Sequence, residues 1–287
     1  MPIVSILPNG GKAYTPSPTS STVPVRSETT GWSRAVARRN TDFLLSVRAD
    51  ELTGFGFAVS LTIKDCPPTP KDWKRLLAAF FERLRRMGHI RVHWLTEWQR
   101  RGVPHMHAAI WFDTDQDPSR IMQHWIEAAA PYRAGIYAQD VKPIRGAVGW
   151  FEYLAKHATR SVTNYQRSSK NVPQLWRGVT GRMWGHLGDW PTDAPQEVDV
   201  PPGPWHQYRR LMVRYQIGKA RRQRDRSRER YLKAYRSKAP RETSRAQALP
   251  RLFIPREQQW ELLALAISTH YANPPRFSPT PPENDDV

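Results

Sequence analysis

His105 and His107 stand two apart, with Met106 between them, inside the run PHMHAAIWF. The run is short, apolar and rich in aromatic residues, so it reads as a buried strand. Successive side chains on a strand point to opposite faces. The two imidazoles therefore share a face and can both reach one divalent ion. Glu97 lies near the end of a second strand-like run, residues 90–98. Between the runs, QRRGVP holds Gly102 and Pro104, so the pair reads as an antiparallel hairpin. If the register sets Glu97 opposite His105 or His107, two nitrogens and one carboxylate converge. Such a set leaves coordination positions open for a substrate oxygen. Two histidines with purely structural roles are the competing reading of a bare His-x-His.

A second constellation lies in GAVGWFEYLAKHATR, residues 146–160, which reads as a helix. At about 100° per residue, Val148, Phe151, Leu154, Ala155 and Ala158 gather on one side. Gly149, Tyr153, Lys156, His157 and Arg160 gather on the other. That pattern predicts a wet face carrying a phenol among basic groups. A tyrosine hydroxyl is a weak nucleophile at neutral pH, with a pKa of about 10. A nearby metal or ammonium favours the phenolate, and a metal also polarises a phosphoryl oxygen. Attack of a phenolate on a DNA phosphodiester leaves a phosphotyrosine and a free hydroxyl, so ends can be rejoined without ATP. An ordinary solvated helix face is the plainer account of Tyr153 and its bases taken alone.

The elements that must position these groups are legible. FGFAVSLTIK, residues 55–64, alternates, with Phe57, Val59, Leu61 and Ile63 on one face. Thr69 and Pro70 start a helix that runs to about Met87. Its stripe of Trp73, Leu76, Leu77, Phe80, Phe81 and Leu84 is core. Asp117 caps a second helix that reaches about Ala130, and residues 135–144 are a fourth strand. A sheet covered by helices on one face leaves the other free for the metal ligands and the tyrosine helix.

The chain has 287 residues, with 44 Lys or Arg against 26 Asp or Glu, a net charge of +18. That balance calls for a polyanionic partner. No apolar run approaches a membrane span and no secretory core opens the chain, so nucleic acid is preferred over a membrane surface. The single Cys66 excludes an internal disulfide framework and fits a reducing compartment. Residues 1–50 read as a flexible basic arm rich in Pro, Ser and Thr, and residues 51–190 as the nuclease domain. Residues 191–204 read as a linker, residues 205–270 as a basic helical DNA-binding extension, and residues 271–287 as a disordered tail. Residues 205–245 carry 15 Lys or Arg against three acids, a local charge of +12. Leu211, Val213, Tyr215 and Ile217 make no clean apolar stripe there. DNA contacts are expected from Arg100, Arg101, Arg160, Arg182, Trp184, Arg221, Arg222 and Arg224, since phosphates pair with Arg and bases stack on rings.

PHMHAAIWF resembles the His-hydrophobic-His motif of the HUH endonucleases, and YLAKH resembles the Tyr-x-x-Lys motif of their replication-initiator branch. FAVSLTIK sits where that family carries its first strand motif. The likeness covers residues 55–190 and is nearest to rolling-circle initiators of plasmids and single-stranded DNA phages. It implies an α+β fold, a five-stranded antiparallel sheet with helices. It further implies Mg²⁺ or Mn²⁺ held by His105, His107 and Glu97, with Tyr153 as nucleophile assisted by Lys156. Nicking of origin DNA through a 5′-phosphotyrosine link follows from the same likeness. So do a cytoplasmic setting in a bacterial host and recruitment of host helicase and polymerase; a dimer is compatible with it. Some phage initiators carry a second tyrosine four residues after the first, and His157 occupies that position here. Tyr132, Tyr137 and Tyr165 are left as candidates for a second strand transfer. The sequence has no GxxxxGK[ST] loop of its own. A single-tyrosine transposase of the same superfamily and a non-catalytic nucleic-acid-binding protein are the alternatives.

Overall fold

A computed structural model describes residues 1–16, 31–146, 149–150, 153, 157, 164–222, 224, 226, 229, 233 and 254–272. The chain divides into two compact units, one of residues 20–194 and one combining residues 1–19 with 195–287.

The larger unit is an α+β fold built on a five-stranded sheet. Its strands are β3 (Phe55–Thr62), β4 (His89–Trp98), β5 (Pro104–Phe112), β6 (Asp140–Ile144) and β7 (Trp184–Gly188), in the order β6-β3-β5-β4-β7. Every neighbouring pair is antiparallel. β5 is central and buried along its whole length, which is why it reads as a nearly continuous apolar run.

One sheet face packs on α2 (Pro70–Arg86) and α3 (Pro118–Ala128). Phe57, Val59 and Leu61 of β3 and Met106, Ala108 and Ile110 of β5 meet Trp73, Phe80, Leu84, Ile121 and Trp125 there. Thr69 accepts from the Asp72 backbone N–H while the Asp72 carboxylate accepts from the Thr69 N–H, a reciprocal cap that starts α2. Asp117 caps α3 in the predicted way, accepting from Ser119 N.

The opposite face is not free. α1 (Arg34–Ser46), Trp150 and Tyr153 cover part of it. The Phe43 ring of α1 stacks on His93 and His186, with centroids 5.6 and 4.3 Å away. An open face would leave His93, Trp111 and Trp184 in water, so an aromatic layer forms over them.

The smaller unit corrects the reading of both chain ends. Residues 3–14 form a hairpin, β1 (Ile3–Leu7) and β2 (Gly10–Tyr14), not part of a flexible arm. β1 also pairs with β8 (Gln196–Asp199), inside the stretch read as a linker. Two helices pack on this small sheet, α4 (Pro202–Arg222) and α5 (Arg256–Ala272). The basic helix does have a buried stripe: Trp205, Tyr208, Met212, Val213, Gln216, Ile217 and Ala220. Leu211, Val213, Tyr215 and Ile217 straddle that stripe, so they do not reveal its period. Residues 273–287, most of the expected tail, lie outside the described residues.

Candidate metal centre

The hairpin delivers the triad. Glu97 of β4 pairs directly with His105 of β5, and His107 pairs with Leu95 on one side and Ser60 of β3 on the other. Opposed residues share a sheet face, so Glu97, His105, His107 and Ser60 all project to the side away from α2 and α3. All three candidate ligands are buried, and one donor atom from each lies within 4.8 Å of the others.

The donor set fits a divalent ion. The Nε2 atoms of His105 and His107 are 2.9 Å apart, and His107 Nε2 is 3.5 Å from Glu97 Oε2. Donors held about 2.0–2.2 Å from one ion would be spaced in that way. Ser60 Oγ sits 2.8 Å from His107 Nδ1. As acceptor of the Nδ1 proton it keeps the Nε2 lone pair toward the other two donors, the usual role of an outer partner to a ligand histidine. The Gln166 amide reaches His105 Nε2 at 3.2 Å. Two imidazoles and one carboxylate are a donor set that several divalent first-row ions accept.

Arg167 is a site residue that no sequence pattern announces. Its Nε donates to Glu97 Oε1 at 2.8 Å, and both side chains are fully buried. It lies in a short 3₁₀ turn, Tyr165–Arg167, within an irregular stretch. An arginine there has no periodicity or motif to mark it.

Tyr153 departs from expectation. Its phenol is only 4 % exposed, not on a wet face. Its hydroxyl is 2.9 Å from His93 Nδ1, and His93 Nε2 is 2.8 Å from Asn40 Oδ1. Trp150 stacks on one side of its ring and His157 lies against it. Burial, with the Glu97 charge adding to it, pushes the phenol well above its ordinary value. Burial pulls His93 the other way, down to about 3, helped by the charges of His186 and Arg167. Among the described residues of this segment, His157 lies against the candidate ligand His107, with ring centroids 4.7 Å apart. An amphipathic pattern says which residues share a helix face, but not that this face meets His93 of the sheet.

The remaining expected residues scatter. Lys156 and Arg160 lie outside the described residues. Arg100 is exposed at the hairpin tip and sits over the exposed Tyr165 ring, 5.1 Å from its centroid. Arg101 is turned back onto the chain, donating to Gln99 Oε1 and to the carbonyls of Ile63 and Lys64. Arg182 is exposed beside the sheet edge. Trp184 belongs to the aromatic layer with Phe43, His93 and His186 rather than standing as an open stacking surface. Arg221, Arg222 and Arg224 are exposed in the smaller unit, Arg221 paired with Glu229.

Residues 56–162 match the family model described as replication-associated protein ORF2/G2P. Among curated proteins, one of Xylella fastidiosa (strain 9a5c) assigned by name to replication is 44 % identical over 257 residues, covering 87 % of this chain and 90 % of that protein. Another from strain Temecula1 is 43 % identical, covering 87 % of this chain and 97 % of its own length. The replication-associated protein G2P of Pseudomonas phage Pf3 is 45 % identical over 199 residues, 68 % of this chain and 72 % of that protein. No solved structure matches. The matched region contains Glu97, His105, His107 and Tyr153, and the likeness to whole relatives extends well beyond it: the chain belongs to the replication-associated protein ORF2/G2P family.

Proposed function

We propose that this replication protein initiates rolling-circle replication as a metal-dependent single-strand DNA endonuclease and strand transferase. The observation that carries the reading is the buried Glu97–His105–His107 cluster on the sheet face that also receives the Tyr153 segment. His105, His107 and Glu97 would hold Mn²⁺ or Mg²⁺. A divalent ion bound there supplies a Lewis acid for a phosphoryl oxygen.

The chain's own groups do the rest. The Tyr153 phenol gives up its proton to solvent as its oxygen attacks phosphorus, the bond from phosphorus to the 3′-oxygen breaks, and the 3′-oxygen takes a proton from solvent. The product is a 5′-phosphotyrosine ester. The reverse attack by a 3′-hydroxyl rejoins the strand and returns the phenol. His93 and Glu97 lie four residues apart on one strand, so their backbones are separated by about 13 Å. Attack on a phosphate held at the triad replaces the hydrogen bond of the phenol to His93. Giving up that bond leaves a buried His93 nitrogen and costs about 1–3 kcal/mol, a small term against a catalysed barrier.

DNA is the partner that the +18 charge calls for, with origin DNA as the specific target and host helicase and polymerase acting after the nick. No helix among the described residues is long and apolar enough to cross a membrane. The deciding experiment incubates the protein with single-stranded origin DNA and Mn²⁺, then maps any adduct that survives denaturation. Wild type should form an adduct on Tyr153, and Tyr153→Phe should form none while still binding DNA. An adduct mapped to Tyr165, which is exposed and precedes Gln166, would move the nucleophile. No adduct from the folded, metal-loaded wild type would favour a non-catalytic DNA-binding protein.

A further inference from the structure

One guanidinium touches both halves of this site. Arg167 is 2 % exposed. Its Nε donates to Glu97 Oε1 at 2.8 Å, and its Nη2 donates to the His157 carbonyl at 2.8 Å. Its guanidinium carbon lies over the Trp32 ring, 3.9 Å from the centroid. Trp32 is itself fixed, with Nε1 donating to the Thr96 carbonyl at 2.8 Å, one residue from Glu97. The other carboxylate oxygen, Glu97 Oε2, is the one that faces His107, at 3.5 Å.

We propose that Arg167 is a positioning residue for the metal centre: it commits Glu97 Oε1 to itself, so that Glu97 presents the single oxygen Oε2 toward His105 and His107, and the same guanidinium holds the backbone of His157, one turn from Tyr153. The inference rests on reading the triad as a metal site. A buried carboxylate can rotate to offer either oxygen or both. A charge-assisted bond from a planar, rigid donor fork removes that freedom. Lysine has the charge but not the fork, so it cannot bond Glu97 and the His157 carbonyl in this geometry while also sitting over Trp32. Loss of an outer partner to a metal ligand typically weakens metal binding by about 10- to 100-fold. Simple electrostatics argues the opposite sign, because a cation beside a metal site repels the ion. The experiment therefore reads which effect wins.

Mn²⁺ is titrated into the full chain without DNA, and free Mn²⁺ is followed by electron paramagnetic resonance. Arg167→Met should weaken binding by about 10- to 100-fold, and Arg167→Lys should restore only part of it. In a Glu97→Ala background, Arg167→Met should have no further effect, because its action passes through Glu97. Circular dichroism checks folding, and Arg167→Lys takes the place of Arg167→Met in the cycle if the latter does not fold. Unchanged or tighter Mn²⁺ binding in the Arg167 variants, or an effect that persists in Glu97→Ala, overturns the inference while leaving the metal reading intact. Absence of Mn²⁺ binding by wild type overturns the metal reading and this inference with it.

Discussion

His107 shows how a single residue is prepared for chemistry here. β3 supplies Ser60 at its Nδ1 and β5 turns its Nε2 toward His105 and Glu97. His107→Ala should abolish Mn²⁺ binding and adduct formation with the fold retained, as judged by circular dichroism and Mn²⁺ titration. Ser60→Ala should weaken Mn²⁺ binding by about tenfold, since only the tautomer and ring orientation are loosened. His93 predicts a pH dependence of stability. Its ordinary value is 6.5, and burial lowers it to about 3 in the fold, with His186 and Arg167 adding to the effect. The unfolded imidazole therefore binds its proton first as pH falls. The contribution is fully present above the unfolded value and is lost between that value and the folded one, with a slope approaching about 1.4 kcal/mol per pH unit. Urea unfolding at pH 7 and pH 4.5 should show a smaller acid loss for His93→Phe than for wild type. Equal losses would mean that His93 is not held neutral in the fold.

At the scale of elements, the site depends on hairpin register. A shift of one residue between β4 and β5 would send Glu97 to the α2 side while the histidines stayed. The far end of β4 is held by β7, which ends at Gly188 with φ of 76°. A Cβ there would lie 1.9 Å from the Ile90 carbonyl oxygen, so both backbone conformation and space demand glycine. Gly188→Ala should destabilise the larger unit by about 1–3 kcal/mol or more, read as a lower melting temperature. Thr69→Ala removes one half of the α2 cap and should cost about 1 kcal/mol, with Mn²⁺ affinity unchanged because the triad is on the other sheet face. A change in Mn²⁺ affinity would show that bracing from α2 reaches the site.

At the scale of the whole molecule, charge and core are distributed differently. Arg222, the last residue of α4, and Arg224, in the turn just past it, are exposed, while the other side of α4 carries Trp205, Tyr208, Met212 and Ile217 into a core with Val4 and Ile6. The basic extension is therefore half of a folded unit and not a detachable grip. Deleting residue 205 onward should strip the cover from Val4 and Ile6 and give aggregation in light scattering. The DNA role of the basic side is better tested by Arg222→Gln with Arg224→Gln. For every phosphate that is no longer neutralised, the slope of log affinity against log salt should fall by about 0.9 on duplex DNA. Cleavage of a short single-stranded oligonucleotide at saturation should persist. An unchanged slope would show that these arginines do not contact phosphate.

What the sequence determined by itself was everything that short-range pattern encodes. β3, α2, the β4–β5 hairpin and α3 follow from alternation, helical spacing, caps and turn residues, all set within a few positions of one another. The convergence of Glu97, His105 and His107 is legible for the same reason, since a hairpin fixes its register through its own turn. Only the tertiary structure decided the rest. Arg167 reaches Glu97 across 70 positions, and His93 meets Asn40 and Tyr153 across 53 and 60. Tyr153 reads as wet from spacing alone because helical periodicity shows which side chains share a face and not what covers that face. β1 and β2 are joined by a local turn at Pro8 and Asn9, whose residue types mark it, but the pairing of β1 with β8 runs between distant parts of the chain. Such pairings are set by which surfaces exclude water together, and no local spacing carries that information.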